Sequence, residues 1–227
     1  MSPLGAMSEL EICSFAYKGE LNQFKNKIIQ NNELLEKADQ SGRVPLHWAA
    51  CGGRTAIVEF LLKQNVNIDP RDDTNWSPLM IASSAGCLEI VAELIARGAQ
   101  VNAVNTTGQA ALHYAASKDR YEIAEKLLLS GADVNVVDQT GHTPLHRAVC
   151  KGNTKVVKLL LQYISNVNGK DVEGNTPLHL ACQEERAEEA MLLVQRGART
   201  ELLNMEEKTP LCYASQRLKA RIRRLEQ

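Results

Sequence analysis

Histidine and cysteine are the residues of this chain best suited to acid–base, nucleophilic or metal chemistry, so their spacing is considered first. Four of the five histidines, His47, His113, His146 and His179, are separated by 33 or 66 residues. A metal site needs ligands that converge on one point, whereas residues at a long regular spacing occupy equivalent positions in successive repeats. The spacing therefore predicts a structural hydrogen bond that recurs from repeat to repeat. His142 lies outside the series and is expected on a surface turn.

The six cysteines offer no metal or redox motif, because no two of them form a C-x-x-C pair. The sequence also lacks the G-x-S-x-G motif of serine hydrolases, a P-loop and a dinucleotide-binding glycine pattern. The cysteines are expected to be reduced and mostly buried thiols. We therefore predict that the protein is not an enzyme and has no catalytic residues, no metal ligands and no cofactor.

One short segment matches a docking motif. Leu180, Cys182 and Glu184 fit L-x-C-x-E, through which proteins bind retinoblastoma-family pocket proteins. The neighbouring Leu178 and Ala181 belong to repeat columns, which predicts a helix here, whereas the motif is normally bound as an extended strand. In a helix Leu180 and Glu184 share one face and Cys182 points elsewhere. The segment is thus a candidate pocket-protein motif, with a buried framework helix as the alternative.

The histidine spacing belongs to a 33-residue repeat that runs along the chain without insertions. An alanine marks the same position in every repeat, at Ala16, Ala49, Ala82, Ala115, Ala148, Ala181 and Ala214. A T-P-L-H motif or a variant precedes most of these alanines, with proline in the first helical turn, where no N–H is needed. A pair of bulky aliphatic residues follows on one face of a second helix, which ends at a glycine suited to the left-handed conformation. An Asp-x-x-Gly turn leads into the next repeat.

These columns resemble the ankyrin-repeat family over about residues 8 to 225. They predict an all-α ankyrin-repeat solenoid of seven helix–turn–helix repeats joined by β-hairpin-like turns, because a single repeat cannot bury its own apolar face. We expect an N-terminal tail at residues 1–7 and a single domain at residues 8–225. The predicted repeats cover about residues 8–37, 38–70, 71–103, 104–136, 137–169, 170–202 and 203–225.

Three positions depart from the repeat. Ile164 stands where other repeats have glycine after the second helix, and a β-branched residue fits positive φ poorly, so the loop at residues 165–166 is expected to be rearranged. Asp119 and Glu185 replace the glycine that ends the first helix, at a cost of about 1 kcal/mol each. The acidic run at 184–189 and the basic run at 217–224 are interpreted as solvated surfaces, the latter on a capping helix.

Charge and hydropathy restrict the class of partner. The formal net charge is −1, which argues against broad nucleic-acid binding because that needs a basic surface. No apolar stretch of about 18 residues exists, so no membrane-spanning segment is predicted. We expect a monomer in the cytoplasm and nucleus that binds neither nucleic acid nor membranes.

Positions that vary between repeats predict the partner-binding surface. The residue after the T-P-L-H histidine and the residue four further on share a helix face that lines a concave groove, and the hairpin tips add a neighbouring column. The candidate residues are Arg43, Trp48, Asp72, Asp73, Trp76, Tyr114, Lys118, Arg147 and Lys151. Exposed tryptophan beside arginine is typical of a binding hot spot, and the basic residues predict an acidic component in the partner. The alternative is that Trp48 and Trp76 only shield the repeat stack.

Longer segments, at residues 57–62, 98–105, 112–118, 173–182 and 206–211, are similar to the gankyrin group of ankyrin-repeat proteins. This resemblance implies an assembly chaperone of the proteasome regulatory particle that holds the C-terminal domain of a proteasomal ATPase subunit. It implies that Arg43 and Lys118 meet acidic residues of that domain, and that retinoblastoma protein, a cyclin-dependent kinase and a ubiquitin ligase are further partners. An ankyrin-type kinase inhibitor and a signalling scaffold are the alternatives. Alanine at Arg43 and Lys118 is expected to weaken partner binding without lowering the melting temperature.

Overall fold

The computed structural model describes residues 10–164 and 166–225. In these ranges the chain forms fourteen α-helices and no β-strand, with two helices inside each of the seven predicted repeats. The predicted all-α class built from seven helix pairs is confirmed. The predicted N-terminal tail, residues 1–7, lies outside the described residues.

The helices alternate between a first and a second helix of each repeat. The first helices are α1 (Glu11–Lys18), α3 (Pro45–Gly52), α5 (Pro78–Ala85), α7 (Ala111–Ser117), α9 (Pro144–Lys151), α11 (Pro177–Gln183) and α13 (Pro210–Tyr213). The second helices are α2 (Leu21–Gln30), α4 (Thr55–Lys63), α6 (Leu88–Ala96), α8 (Tyr121–Leu129), α10 (Thr154–Tyr163), α12 (Ala187–Gln195) and α14 (Gln216–Leu225). A short 3-10 helix, Asn32–Leu35, follows α2.

The T-P-L-H motif sets where each first helix begins. Proline occupies the first position of α9, and the Thr143 hydroxyl accepts a 3.4 Å hydrogen bond from the backbone N–H of His146. Both features satisfy or remove N–H groups that the first helical turn leaves without partners. Helix α7 begins at the same position without threonine or proline, because the backbone N–H of Ala110 donates to Nδ1 of His113 at 3.1 Å.

The helices divide between two compact units. Among the described residues, the first unit comprises residues 10–106 with 129–131, and the second comprises residues 107–128, 132–164 and 166–225. In the first unit α3 packs between α1 and α5, and α4 packs on α6. In the second unit α7, α9, α11 and α13 pack in sequence, and α12 packs between α10 and α14. The expectation of a single domain over residues 8–225 stays a prediction.

The interior of both units consists mainly of aliphatic side chains from the repeat columns. The largest fully buried side chains are Phe24, Leu46, Ile57, Leu61, Leu79, Met80, Ile90 and Leu94 in the first unit, and Leu112, Leu127, Leu145 and Leu160 in the second. Each such side chain contributes about 1.5–3 kcal/mol by leaving water. The core therefore draws on the leucine of the T-P-L-H motif and on the first member of the repeated aliphatic pair, whereas the second member ranges from buried, at Leu62, to 83% exposed, at Ile29.

The three departures from the repeat have distinct outcomes. Asp119 and Glu185 take positive φ, at 55° and 52°, so each adopts the left-handed conformation that Gly86 takes at 90°. Ile164 avoids that conformation, because α10 extends to Tyr163 and Ile164 is extended at φ −91° and ψ 130°. The predicted departure is thus confirmed at Ile164, whereas Ser165 lies outside the described residues.

Candidate partner-binding site

The four periodic histidines form structural hydrogen bonds, as their spacing predicts. In His47, His113 and His179, Nδ1 accepts the backbone N–H of the residue before each first helix, at 3.1–3.2 Å. Their Nε2 atoms lie 3.0–3.1 Å from a carbonyl oxygen of the following repeat, to which a neutral ring donates. Burial lowers the pKa of His47 to about 4, so this ring is uncharged at neutral pH. His146 keeps the Nδ1 contact at 3.2 Å, and hydrogen bonding to the backbone of Asn175 and Gly169 partly opposes the lowering of its pKa by burial.

The hairpin aspartates organise the candidate residues of the first unit. Oδ1 of Asp72 accepts the backbone N–H groups of Thr74 and Trp76, both at 2.9 Å, which closes the predicted turn. Oδ2 of Asp72 accepts Nε of Arg43 from the preceding repeat at 2.9 Å. Burial favours the neutral form of Asp72, but the Trp76 N–H, Arg43 and Thr74 outweigh it and hold the pKa of this carboxyl below its ordinary value. Asp72 is therefore an ionised link between two repeats.

Trp48 is held on the hairpin of its own repeat. Its Nε1 donates to Oδ2 of Asp39 at 2.8 Å, and the guanidinium of Arg43 lies 5.5 Å from its ring centroid. Tyr17 packs edge-on against the same ring at a centroid distance of 6.1 Å. Arginine over an indole ring is a favourable cation–π contact. The side chains of Tyr17, Asp39, Arg43 and Trp48 thus form one cluster within the first unit.

The expected exposure of the first-unit aromatic residues is wrong. Trp48 and Trp76 are only 4% and 8% exposed, and Arg43 is only 9% exposed. The reason is that the neighbouring hairpin supplies Asp72, so Arg43 lies along the repeat junction and covers the indole of Trp48. The burial of Trp48 and Trp76 agrees with the alternative interpretation, in which the tryptophans shield the repeat stack. Any role of these residues in partner binding stays a prediction.

Asp73 is the exposed candidate of the first unit. Its backbone N–H donates to the carbonyl of Ser41 at 3.0 Å, and its carboxylate lies next to Gly42. A Cβ atom at Gly42 would lie 2.6 Å from the Asp73 carboxylate, and φ of 73° disfavours a side chain there as well. The hairpin tips therefore approach closely, which fixes the position of Asp73.

In the second unit, Arg147 is bound in the same way as Trp48. Its Nε donates to Oδ2 of Asp138 at 3.1 Å, and its second guanidinium nitrogen binds the same oxygen. Burial opposes the ionisation of Asp138, but hydrogen bonds from Thr140 and Arg147 outweigh it and hold its pKa well below the usual range. The side chain of Arg147 is still 31% exposed. Tyr114, one repeat earlier, is half-buried.

Lys118 and Lys151 occupy equivalent positions at the ends of α7 and α9. Both are exposed. Within residues 10–164 and 166–225, neither ammonium group forms a hydrogen bond or an ion pair. These two lysines are therefore the candidate cations that a partner could reach without breaking an intrachain contact.

The L-x-C-x-E segment is helical, as predicted. Leu180 and Cys182 are buried within α11, at 9% and 0% exposure, and Glu184 is an exposed residue at the end of that helix. The backbone N–H of Glu184 donates to the carbonyl of Leu180 at 3.0 Å. Burial raises the pKa of the Cys182 thiol to about 12. A partner could read Leu180 and Cys182 only after this helix opened.

The acidic run at 184–189 is not simply a solvated surface. Glu189 is buried and binds the Thr154 hydroxyl, and Glu188 pairs with Lys158 at 2.9 Å. Glu185 accepts hydrogen bonds from the backbone N–H and the hydroxyl of Ser215, the latter at 2.9 Å. The interpretation as a solvated face is confirmed for Glu184, Glu185 and Glu188, which are exposed, and is wrong for Glu189, which is buried.

Metal-binding and membrane-spanning features are absent from the described residues. No three histidine, cysteine, aspartate or glutamate side chains converge as a metal site there, and none of the helices is long and apolar enough to cross a membrane. All six cysteines are free thiols. Cys13 and Cys182 are buried but Cys212 is exposed, so the thiols are less uniformly buried than expected.

Sequence reasoning missed the role of Asp39 and Asp138 in holding candidate residues. Each binds the variable residue nine positions later in its own repeat, Trp48 or Arg147. A second contact joins residues 29 positions apart in adjacent repeats, as between Arg43 and Asp72. Complementary pairs at these two spacings are visible in the sequence and could have identified the network.

Comparison with known proteins gives two kinds of relative. A 65-residue segment is 50% identical to the 26S proteasome non-ATPase regulatory subunit 10, or gankyrin, of Mus musculus and of Homo sapiens. It covers 29% of this chain and 28% and 29% of those proteins, so the match spans less than a third of their length. The DNA-binding protein RFXANK of Homo sapiens is 37% identical over 57 residues, which are 25% of this chain and 22% of that protein.

The fold and the family are established over most of the chain. The crystal structure of the ankyrin repeat domain of Bcl-3, a member of the IkappaB protein family, matches with a TM-score of 0.82 and 27% identity, covering 95% of this chain and 98% of that one. The family profile of three ankyrin repeats matches residues 12–105, 67–138 and 97–171, and the single-repeat profile matches residues 173–205. The chain therefore belongs to the ankyrin-repeat family.

Proposed function

We propose that this chain is a protein-binding adaptor of the gankyrin type. In this proposal it holds the C-terminal domain of a proteasomal ATPase subunit while the proteasome regulatory particle assembles, in the cytoplasm and nucleus, and catalyses no reaction. The observation that carries it is the 50% identity over 65 residues to the 26S proteasome non-ATPase regulatory subunit 10. That match covers only 29% of this chain, so the identity of the partner is itself part of the proposal.

Lys118 and Lys151 are the contacts that support this proposal best. Both ammonium groups are exposed, and their positions in successive repeats place them on equivalent faces of α7 and α9. Such cations attract an acidic surface and raise the rate of encounter with it. Arg147 adds a guanidinium that is 31% exposed although it binds Asp138. In the first unit, Asp73 is exposed, whereas Arg43, Trp48 and Trp76 support the surface from within.

The resemblance extends the proposal to three further partners. Retinoblastoma protein would require the L-x-C-x-E segment, whose Leu180 and Cys182 are buried in α11, so this interaction depends on local opening of the helix. A cyclin-dependent kinase and a ubiquitin ligase rest on the resemblance alone. A kinase inhibitor of the ankyrin type would bind mainly through the first few repeats, where Arg43 and Trp48 bind aspartates within the fold and Trp76 is buried. The exposed cations of the second unit favour the ATPase-domain proposal over this alternative.

The test is calorimetric titration with a purified C-terminal domain of a proteasomal ATPase subunit. Lys118→Ala with Lys151→Ala should weaken binding by about 0.4–2 kcal/mol, the sum for two solvent-exposed ion pairs. The melting temperature should not change, because neither lysine forms an ion pair with the residues that the structure describes. Lys63→Ala with Lys155→Ala removes two exposed lysines on second helices and is the matched control.

The possible outcomes distinguish an error in the proposed function from an error in the proposed contact residues. If the unaltered chain binds none of the proteasomal ATPase C-terminal domains, the proposed function is wrong. If it binds but both double variants bind equally well, the function stands and Lys118 and Lys151 are the wrong contacts. A loss in the Lys118 and Lys151 variant alone supports both parts of the proposal.

A further inference from the structure

The last helix, α14 (Gln216–Leu225), has one buried face and one cationic face. Leu218 and Ile222 are 2% and 0% exposed and lie on the side that packs against α12. The remaining side includes four exposed arginines and a half-buried lysine, which are Arg217, Lys219, Arg221, Arg223 and Arg224. The apolar residues attach the helix to the repeats, and the four arginines are exposed to solvent.

The arginines of α14 have no anionic partner among residues 10–164 and 166–225. Residues 216–225 include no aspartate or glutamate. Among the residues that the structure describes, none of the four arginine side chains forms a hydrogen bond or an ion pair. The nearby Glu185 binds the hydroxyl of Ser215 at 2.9 Å instead of a basic side chain. Elsewhere in the second unit, by contrast, Lys158 and Arg147 both have carboxylate partners.

This charge pattern works against the helix that carries it. Arg217 and Arg221 are four residues apart, and Arg221 and Arg224 are three apart, so like charges lie next to each other on one face. Each such pair of like charges destabilises a helix. Arg217 also lies in the first turn, where the helix dipole disfavours a cation. Arg223 and Arg224 lie in the last turn, where the dipole favours them, but that does not account for Arg217 and Arg221.

A terminal repeat needs only a polar outer surface, and charges of mixed sign would provide one without repulsion. We propose that the outward face of α14 is a docking surface for an acidic segment of a partner protein. Carboxylates placed along the row Arg217, Arg221 and Arg224 would relieve the repulsion and pair with guanidinium groups, whose planar fork matches a carboxylate. This surface is separate from Lys118 and Lys151 and does not depend on the proposed ATPase partner.

The chemistry of α14 favours a protein segment over a lipid surface or a nucleic acid. A helix that binds membranes inserts apolar side chains, but Leu218 and Ile222 are already buried within the fold. The formal net charge of the whole chain is −1, which opposes the broad basic field that nucleic-acid binding requires. Lipid and nucleic acid therefore enter as outcomes of the test.

The experiment measures binding of a fluorescein-labelled, glutamate-rich synthetic peptide to the full chain by fluorescence anisotropy. The control peptide has glutamine at every glutamate position. A triple variant, Arg217→Gln, Arg221→Gln and Arg224→Gln, should weaken binding of the glutamate peptide by at least about tenfold at low salt. Its melting temperature should be equal or higher, because the like-charge repulsion is gone. The matched control, Lys37→Gln, Lys63→Gln and Lys155→Gln, removes three positive charges from exposed positions on other repeats.

Retained binding by the matched control with loss in the arginine variant supports the proposal. Equal loss in both variants would show attraction to overall charge and overturn it, as would equal affinity for the glutamine peptide or no binding of the glutamate peptide. A duplex DNA oligonucleotide and phosphatidylserine vesicles serve as competing ligands. If either binds more tightly than the glutamate peptide through the same three arginines, the assigned class of partner is wrong.

Discussion

Replacement of Arg43 by alanine tests whether this residue stabilises the fold of the first unit or serves mainly to contact a partner protein. The side chains of Arg43 and Asp72 are 10% and 2% exposed, and Nε and Oδ2 lie 2.9 Å apart. The guanidinium also covers the Trp48 ring at 5.5 Å. Alanine removes both contacts and leaves Oδ2 of Asp72 without this donor.

The size of the effect follows from burial. A hydrogen bond between charged groups contributes about 1.5–3 kcal/mol, and removal of one member of a buried ion pair costs about 3–5 kcal/mol. The backbone N–H groups of Thr74 and Trp76 still bind the other oxygen of Asp72, which limits the loss. We expect Arg43→Ala to lower the free energy of unfolding by about 2–4 kcal/mol. The earlier expectation of an unchanged melting temperature does not fit this geometry.

Urea unfolding followed by tryptophan fluorescence is the suitable assay, because Trp48 and Trp76 both lie in the first unit and the chain has no other tryptophan. Arg97→Ala is the matched control. Arg97 pairs with Glu93 at 3.0 Å, but the two side chains are 42% and 31% exposed. A pair of this kind contributes about 0.3–0.5 kcal/mol.

Acidification gives an independent check on the same pair. The folded-state pKa of Asp72 lies below the unfolded value, although burial alone would raise it. Its contribution to stability is therefore complete above the unfolded pKa, about 3.9, and is lost as the pH falls through the lower folded value. The difference between wild type and Arg43→Ala should narrow below about pH 4. If Arg43→Ala costs no more than Arg97→Ala at neutral pH, the argument from burial is refuted.

Three further predictions concern the framework. The pKa of His47 is about 4 in the fold, below its unfolded value of about 6.5. The free energy of unfolding should therefore fall as the pH drops from about 6.5 to 4, by up to about 1.4 kcal/mol per pH unit. In urea titrations, the free energy of unfolding of a His47→Gln variant should depend less steeply on pH. Asp119→Gly should stabilise the second unit by about 1 kcal/mol by relieving positive φ, whereas Glu185→Gly should gain less because it loses the bonds to the start of α14; circular dichroism in urea compares the two. In single-cysteine variants, Cys182 should react with a thiol reagent far more slowly than the exposed Cys212; similar rates would mean that α11 opens readily.

The fold was predictable because the repeat gives the same local signals several times over. Where one signal is missing, the others still specify the element. Helix α7 has alanine in place of threonine and proline, yet its His113 makes the same contact with the backbone N–H that precedes the helix. Positive φ at Asp119 and the extended conformation of Ile164 also followed from local rules about side chains and backbone. Each of these predictions depends on a few neighbouring residues.

The environment of the candidate site was less predictable, because it depends on residues that are distant in the sequence. Arg43 looks like an exposed residue when its own repeat is considered, but its partner Asp72 lies 29 positions later. Trp48 likewise depends on Asp39, nine positions earlier. Reading each repeat column separately hides both relations, because the contacts run between columns. This explains why the exposure predicted for Arg43 and Trp48 was wrong.

The hydrogen-bond network indicates which of the candidate cations a partner can bind most easily. A partner that reads Arg43 must compete with Asp72 and with the face of the Trp48 ring. A partner that binds Lys118 or Lys151 breaks no ion pair among the described residues. The attraction between these lysines and a carboxylate of the partner is therefore not offset by the loss of an existing ion pair. Arg147 lies between these cases, because it is bound to Asp138 and partly exposed. Electrostatic recognition by this chain should therefore depend on the second unit and weaken with added salt, whereas Arg43 should affect binding mainly through the stability of the first unit.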